Sequence, residues 1–577
     1  MRFELWAPRA HRVDLVVDGT RHPMTPASDA TSFSADVDVS HDSRYGFSLD
    51  GGPVRPDPRS LRQPDGIHEP SAVYDHSSFD WHDDRWRGFD LAGAVLYELH
   101  VGTFSPEGTF DGAICHLQHV VELGVDAVEL MPLAAGPGSR GWGYDGVDLY
   151  AVHEDLGGPD GLKRFVDQCH QLGIGVLIDV VYNHLGPSGN YLAEFGPYFT
   201  DRHHTPWGDA VNFDGDDAVG VRRYVIDNAL MWLRDYHADG LRLDAVHAIV
   251  DSSETHILSE IAESVATLAR ELDRSLHVIA ESDANDANLI TTRPKGFGLR
   301  AVWSDDWHHA LHAVLTGERD GYYTDFGSLY DLVKAIEQAW VYDGRWSVHR
   351  NGLHGSSPAG LPADRFVVSA QNHDQVGNRA RGERLCALTR PGRCRIAAAL
   401  LLTSPFVPML FQGEEWGAST PFLYFTDHAD PDLASAVTSG RREEFAAFGW
   451  DPGDVPDPQH PTSFQRSVLD WTELETTPHR DLLRWHRELI ALRRAEADLH
   501  DPSVRPSARV LDNVLRVDRG AFTLLANLAE VTRVMPIDAE AVLVLDADTD
   551  RPNAKELQLE RDGVALLRVP TRGGSHD

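Results

Sequence analysis

Cysteine is scarce in this chain. Cys115, Cys169, Cys386 and Cys394 are spread over 577 residues with no CxxC spacing. That excludes a disulfide framework and a cysteine-built zinc site, and it suits a reducing compartment. Lysine is as rare, with Lys163, Lys295, Lys334 and Lys555 alone, and arginine supplies the rest of the positive charge. Acidic residues outnumber basic ones 89 to 52, a formal net charge of −37 that repels phosphate backbones and excludes nucleic acid as an expected partner. No stretch reaches the ~18 consecutive apolar residues of a membrane span. The opening MRFELWAPRAHRV also lacks the charged and then apolar regions of a secretory signal. A cytoplasmic protein without a membrane partner is therefore expected. The thirty histidines are scattered, and pairs such as His203–His204 find no third ligand at a recognisable spacing, so neither a metal nor a cofactor is expected.

What is present divides into three regions. Residues 1–88 alternate like strands, with Val13, Leu15 and Val17 before DGT and YGFSL before DGGP, which suits an N-terminal β-sandwich. Residues 501–577 repeat that character in RVLDNVLRV, AFTLLANL, AVLVLDAD and VALLRVP, and a second, C-terminal β-sandwich is expected there. Between them, over 89–500, eight short apolar runs recur: AVLYELHVGTF, DAVELMPL, GVLIDVVYNH, GLRLDAVH, LHVIAESD, LRAVWSDD, RFVVSAQNHD and FVPMLFQGEE. Strands apolar on both faces belong to parallel sheets covered by helices. Helical spacing recurs between them, as at Val221, Val225, Ala229, Trp232 and Tyr236, and Leu482, Trp485, Leu489 and Leu492 mark a late helix. The α/β pattern predicts a (β/α)8 barrel flanked by the two all-β regions, with loop insertions at about 185–217 and 317–363.

The polar residues interrupting these runs fall at strand C-termini, where barrels collect their chemistry. They are Asp179, Asn183 and His184; Arg242 and Asp244; Glu281; Asp305 and Asp306; His373 and Asp374; Glu414 and Glu415. In GLRLDAVH, Arg242 and Asp244 share one strand face and Leu241 and Leu243 the other. One such pair reads equally well as a structural ion pair. A ring of carboxylates at one mouth is costly unless it is used. Two chemistries use it: a divalent metal held by carboxylates, and glycoside hydrolysis by paired carboxyl groups. Trp142, Tyr144, Trp207 and Phe213 in the same loops favour sugar, because pyranose faces stack on aromatic rings.

DVVYNH at 179–184, GLRLDAVH at 240–247, AES at 280–282 and NHD at 372–374 resemble, in order and strand position, the four signature segments of the α-amylase superfamily of glycoside hydrolases. FELWAPRAHRVDLVVDG resembles the β-sandwich, a glycan-binding-like module, that precedes the barrel in branching, debranching and trehalose-releasing members. The finer resemblance is to the trehalose-releasing members, through WGYDGVDLYAVHEDLGGPDGLKRF, TPWGDAVNFDG, NHDQVGNRARGERL and FQGEEWGASTPFLYFTDH. Branching enzymes usually carry SHDE where this chain reads Asn372, His373, Asp374 and Gln375.

The resemblance implies Asp244 as nucleophile, Glu281 as general acid/base and Asp374 as transition-state stabiliser. It further implies Tyr144 stacked under the reacting sugar, and His184 and His373 as neutral donors to it. Arg242 beside Asp244 should keep that carboxylate ionised, and the apolar neighbours of Glu281 in HVIAES should raise its pKa. Asp179 and Asn183 read as scaffold, and the loop at 185–217 shows no carboxylate cluster for calcium. The implied substrate is a malto-oligosaccharide with a terminal trehalose, and the implied pathway partner a maltooligosyltrehalose synthase. Phe425 and its neighbours in LYFTDH are candidates for the trehalose subsites. The competing readings are a branching or debranching relative, and a glycan-binding protein without catalysis.

Overall fold

A computed structural model describes residues 1–28, 31–447, 453 and 455–569. Eight parallel strands close into a barrel in chain order: β1 (Leu96–Leu99), β2 (Ala127–Leu130), β3 (Gly175–Val180), β4 (Gly240–Leu243), β5 (His277–Ala280), β6 (Ala301–Trp303), β7 (Phe366–Ser369) and β8 (Val407–Phe411), with β8 pairing back to β1. Each lies in one of the eight apolar runs.

Strand alternation sorts their side chains. Leu96, Ala127, Leu177, Ile279, Ala301, Trp303, Val367, Val407 and Met409 form a core cluster of their own inside the barrel. Their chain neighbours Tyr97, Val128, Ile178, Val278, Val302, Val368 and Leu410 face outward into the main core with the surrounding helices. Two residues further along, the inward positions become Glu98, Glu129, Asp179, Glu281 and Asp305, with Arg242 and Asp244 on β4 in the same phase. The barrel is thus apolar at its base and ionic towards its mouth.

The helix Ala218–Arg234 buries Val221, Val225, Ala229 and Trp232 as its spacing predicts, and the late helix is Thr477–Ala495. The alternation fails once. No helix spans residues 281–300, because SDANDANLITTRPKGFG is crowded with turn formers and with Pro294, Gly296 and Gly298. After β3 comes a hairpin, Phe199–Thr205 with Gly208–Val211; after β6 come the helix Leu329–Gln338 and a second hairpin, Arg345–Ser347 with Gly352–His354.

Two antiparallel sheets precede the barrel, one built on Arg2–Trp6 and Ser32–Asp36, the other on Val13–Val17 and Arg44–Leu49. Phe3 of the first meets Tyr45 of the second at 4.9 Å between ring centroids. After it, six antiparallel strands within Ser507–Arg568 form one sheet. Among the described residues no helix is long and apolar enough to cross a membrane.

The base of the barrel is fastened by a buried charge network. His170 donates from Nδ1 to Asp83 at 2.7 Å and from Nε2 to Asp239 at 3.0 Å. Asp239, just ahead of β4, also accepts from Val176 N, Trp86 Nε1 and Arg274 Nη2. Burial opposes charge on His170, but the two aspartates outweigh it and raise its pKa; burial likewise opposes Asp83 and Asp239, which their donors lower. The raised histidine contributes stability in full below its ordinary value of 6.5 and loses it as pH rises through its folded pKa. The lowered aspartates contribute above the ordinary carboxylate range and lose it as pH falls through theirs. His170→Ala takes one donor from each of two buried carboxylates, leaving Asp83 to His237 and Asp239 to its three other donors, and should cost about 2 kcal/mol of unfolding free energy, read from the denaturant midpoint at pH 6. An unmoved midpoint would refute the network's role.

Candidate active site

Arg242 is the organising side chain. It is fully buried, and its Nη1 donates to both oxygens of Asp179, at 2.9 and 2.8 Å, and to Asp244 Oδ1 at 2.8 Å. Its guanidinium lies 4.4 Å over the Trp303 ring, and Nη2 stands 3.7 Å from Glu281 Oε2. The strand face that carries Arg242 and Asp244 therefore joins three carboxylates through one cation.

Asp244 is held at both oxygens, since Asn183 Nδ2 donates to Oδ2 at 2.7 Å and also to the Asp244 carbonyl at 2.7 Å. The chain then turns sharply. Ala245 takes a left-handed conformation, φ 39°, unusual for a residue with a Cβ. That turn points its amide at Glu281 Oε2, 2.6 Å away. Glu281 is thus hydrogen-bonded to the residue after Asp244 while its second oxygen is left for other partners. Burial raises the Glu281 pKa well above the usual carboxyl range; Arg242 opposes the shift, and Asp244, Asp305 and Asp374 add to it.

Asp374 is the most open of the three, with 44% of its side chain exposed, and Asn378 Nδ2 donates to it at 3.3 Å. His373 beside it is fully buried. Its amide donates to Glu98 Oε2 at 2.9 Å, its Nδ1 pairs with Glu98 Oε1, and its Nε2 lies 2.8 Å from Tyr144 OH. Burial works against charge there, but Asp374 and Glu98 prevail and raise its pKa to about 9. The imidazolium is thereby favoured at His373, where the resemblance implied a neutral donor; sequence could not place Glu98 of β1 under it. At His184 burial lowers the pKa and favours the neutral ring, with Nε2 3.1 Å from the Tyr144 carbonyl. Tyr144 donates to Asp179 Oδ2 at 2.6 Å and stacks on His373. Burial raises Asp179 to about 6 against the pull of Arg242.

Trp207 is 50% exposed and stacks on the His184 ring at 4.3 Å, whereas Trp142 is buried against Phe422 and His373. Phe425 is not in the cleft. It is 1% exposed and packs against His100, Phe422 and Phe464, because an aromatic in a loop this crowded with aromatics fills the space beneath it. Glu414 and Glu415 anchor the chain after β8, accepting from Phe411 N, and from Tyr97 OH and His119 Nε2.

Two acids went unread in the sequence, Glu98 and Glu129. They sit at the same register on β1 and β2, both facing inward, and burial first, then the charge of Glu98, pushes the Glu129 pKa well up. The available signal was a single charge inside an apolar run, in phase with Asp179 and Arg242. Among the described residues no group of three or more His, Cys, Asp or Glu side chains is placed to hold a metal ion.

A closed parallel barrel whose mouth brings together one carboxylate locked by a cation, one whose pKa burial raises and a third left open defines a glycoside hydrolase of the α-amylase type. The model of the α-amylase catalytic domain matches residues 66–207. The malto-oligosyltrehalose trehalohydrolase of Arthrobacter ramosus is 50% identical over 98% of this chain and 99% of its own. That of Mycobacterium tuberculosis is 48% identical over the same shares. A crystal structure of an α-amylase-type protein of Salmonella typhimurium superimposes with a TM-score of 0.89 at 38% identity, covering 98% of this chain and 97% of that one. The chain belongs to the malto-oligosyltrehalose trehalohydrolase family.

Proposed function

We propose that the protein hydrolyses the α-1,4-glucosidic bond next to the terminal trehalose of a malto-oligosyltrehalose, by a retaining mechanism in which Asp244 attacks, Glu281 carries the proton and Asp374 binds the reacting sugar. The observation that carries this reading is the unequal treatment of two neighbouring carboxylates. Arg242 and Asn183 hold both oxygens of Asp244, whereas burial raises the pKa of Glu281 and favours its protonated form.

In the first step an oxygen of Asp244 bonds to the anomeric carbon. The bond to the glycosidic oxygen breaks, and Glu281 delivers its proton to that oxygen, so trehalose leaves as a neutral alcohol. Glu281, now a carboxylate, then takes a proton from water. The hydroxide equivalent attacks the anomeric carbon, releases Asp244 and returns the malto-oligosaccharide with its α configuration. Asp374 meets sugar hydroxyls from the open side, with Arg242, His373, His184 and Tyr144 forming the floor and wall around it. The residue boundaries 1–88, 89–500 and 501–577 serve here as the proposed domains. We place the reaction in the cytoplasm, downstream of a maltooligosyltrehalose synthase, in keeping with four free cysteines.

A product assay tests the reading. Maltotriosyltrehalose should yield trehalose and maltotriose, and maltopentaose, equal in length, should be cut far more slowly. Equal cleavage of both would reduce the enzyme to a general α-amylase relative, and formation of α-1,6 branches would make it a branching enzyme.

A further inference from the structure

Asp305 and Asp306 are adjacent in sequence and opposite in use. Asp306 is consumed by the fold, since its Oδ2 accepts from Asn285 Nδ2, Val341 N and Tyr342 N at 2.8, 2.6 and 2.7 Å. Asp305 is not. Ser304 is extended, φ −117° and ψ 96°, so Asp305 shares the inward face of Trp303, whose ring lies under Arg242. It follows β6, between Glu281 after β5 and Asp374 after β7 in the barrel order, and is only partly covered. Gln375 Nε2 donates to Oδ1 at 3.0 Å, and Oδ2 has no hydrogen bond within the described residues. A carboxylate at the mouth of a sugar-cleaving barrel, with one oxygen fixed and the other open, is built to accept a hydroxyl.

Its position says whose hydroxyl. Glu281 protonates the departing oxygen, so the ground beside Glu281 belongs to the leaving group. On the proposed reaction, on which this inference rests, the sugar there is the first glucose of trehalose. We propose that Asp305 is a substrate-contacting residue on the leaving-group side, accepting a hydroxyl of that glucose and so helping to set which leaving group the enzyme takes. An unmatched leaving group would leave this acceptor buried and unpaired, which is how a hydrogen-bonding site discriminates. The charged groups facing Asp305 are Asp374, Asp283, Asp306, Glu281 and Arg242. Burial and the three aspartates outweigh Arg242 and bring it to about 7, so it can accept or donate near neutral pH.

The test uses the two products as inhibitors, trehalose for the leaving-group side and maltotriose for the other. Asp305→Ala should raise the inhibition constant of trehalose on the order of 10-fold or more, and leave that of maltotriose within about twofold. Asp305→Asn, which keeps a carbonyl acceptor, should recover part of the loss. An unchanged trehalose constant in both variants, equal losses for the two sugars, or a wild type that trehalose does not inhibit would each overturn the assignment. Failure of the underlying reaction is read separately, as a wild type that releases no trehalose from maltotriosyltrehalose.

Discussion

Asp244→Ala is expected to lower the turnover of maltotriosyltrehalose by about 10⁴-fold or more while leaving oligosaccharide binding within a few-fold. The covalent step has no substitute nucleophile in this geometry, because Asp179 is spent on Arg242 and Tyr144 and lies a layer deeper in the barrel. The variant should still fold. Arg242 keeps its two contacts to Asp179, so no buried cation is orphaned, and Asn183 keeps the main-chain carbonyl at 244 as an acceptor. Stopped assays with saturating enzyme, alongside calorimetric titration of a malto-oligosaccharide, read the two quantities separately. Residual hydrolysis within 10-fold of wild type would remove Asp244 from the nucleophile's role.

Glu281→Gln should separate substrates by leaving group. A sugar alcohol needs protonation as it departs, so cleavage of maltotriosyltrehalose should fall by about 10²- to 10⁴-fold. α-Maltosyl fluoride needs little such help, and its first step should fall less than about 10-fold. The pH profile supplies an independent reading. Burial, with Asp244, Asp305 and Asp374 near it, holds the Glu281 pKa well above the usual carboxyl range although Arg242 opposes this. The protonated acid is therefore favoured, and kcat/KM should decline on the alkaline side as it loses that proton. In Glu281→Gln that alkaline limb should disappear. Equal losses on the two substrates, or an alkaline limb that survives the substitution, would show that Glu281 is not the acid.

The barrel was legible in the linear chain because each of its strands is a short apolar run, and β4 announced its use by carrying Arg242 and Asp244 in one phase. Asp244, Glu281 and Asp374 were legible as residues at strand ends and, through the four signature segments, as a set. The missing helix before β6 is also legible in Pro294, Gly296, Gly298 and the turn formers ahead of them. None of these judgements needs more than a few neighbouring residues.

What needed the folded molecule was every property set by residues far apart in sequence. The raised pKa of His373 owes its largest push to adjacent Asp374, but the rest comes from Glu98, 275 positions away, which meets both its amide and its ring. The raised pKa of Glu129 comes from its burial inside the barrel and then from Glu98, at the same register on the next strand. Phe425 reads as a plausible sugar platform until His100 and Phe464 are seen covering it. The two aspartates after β6 are indistinguishable as letters, and only the fold, through Asn285 and the backbone of residues 341 and 342, claims one and leaves the other facing the cleft. Local sequence determines which way a side chain points along its own strand. Burial, pairing and protonation are decided by what the other strands bring to the same spot, because electrostatic and packing energies depend on distance in space.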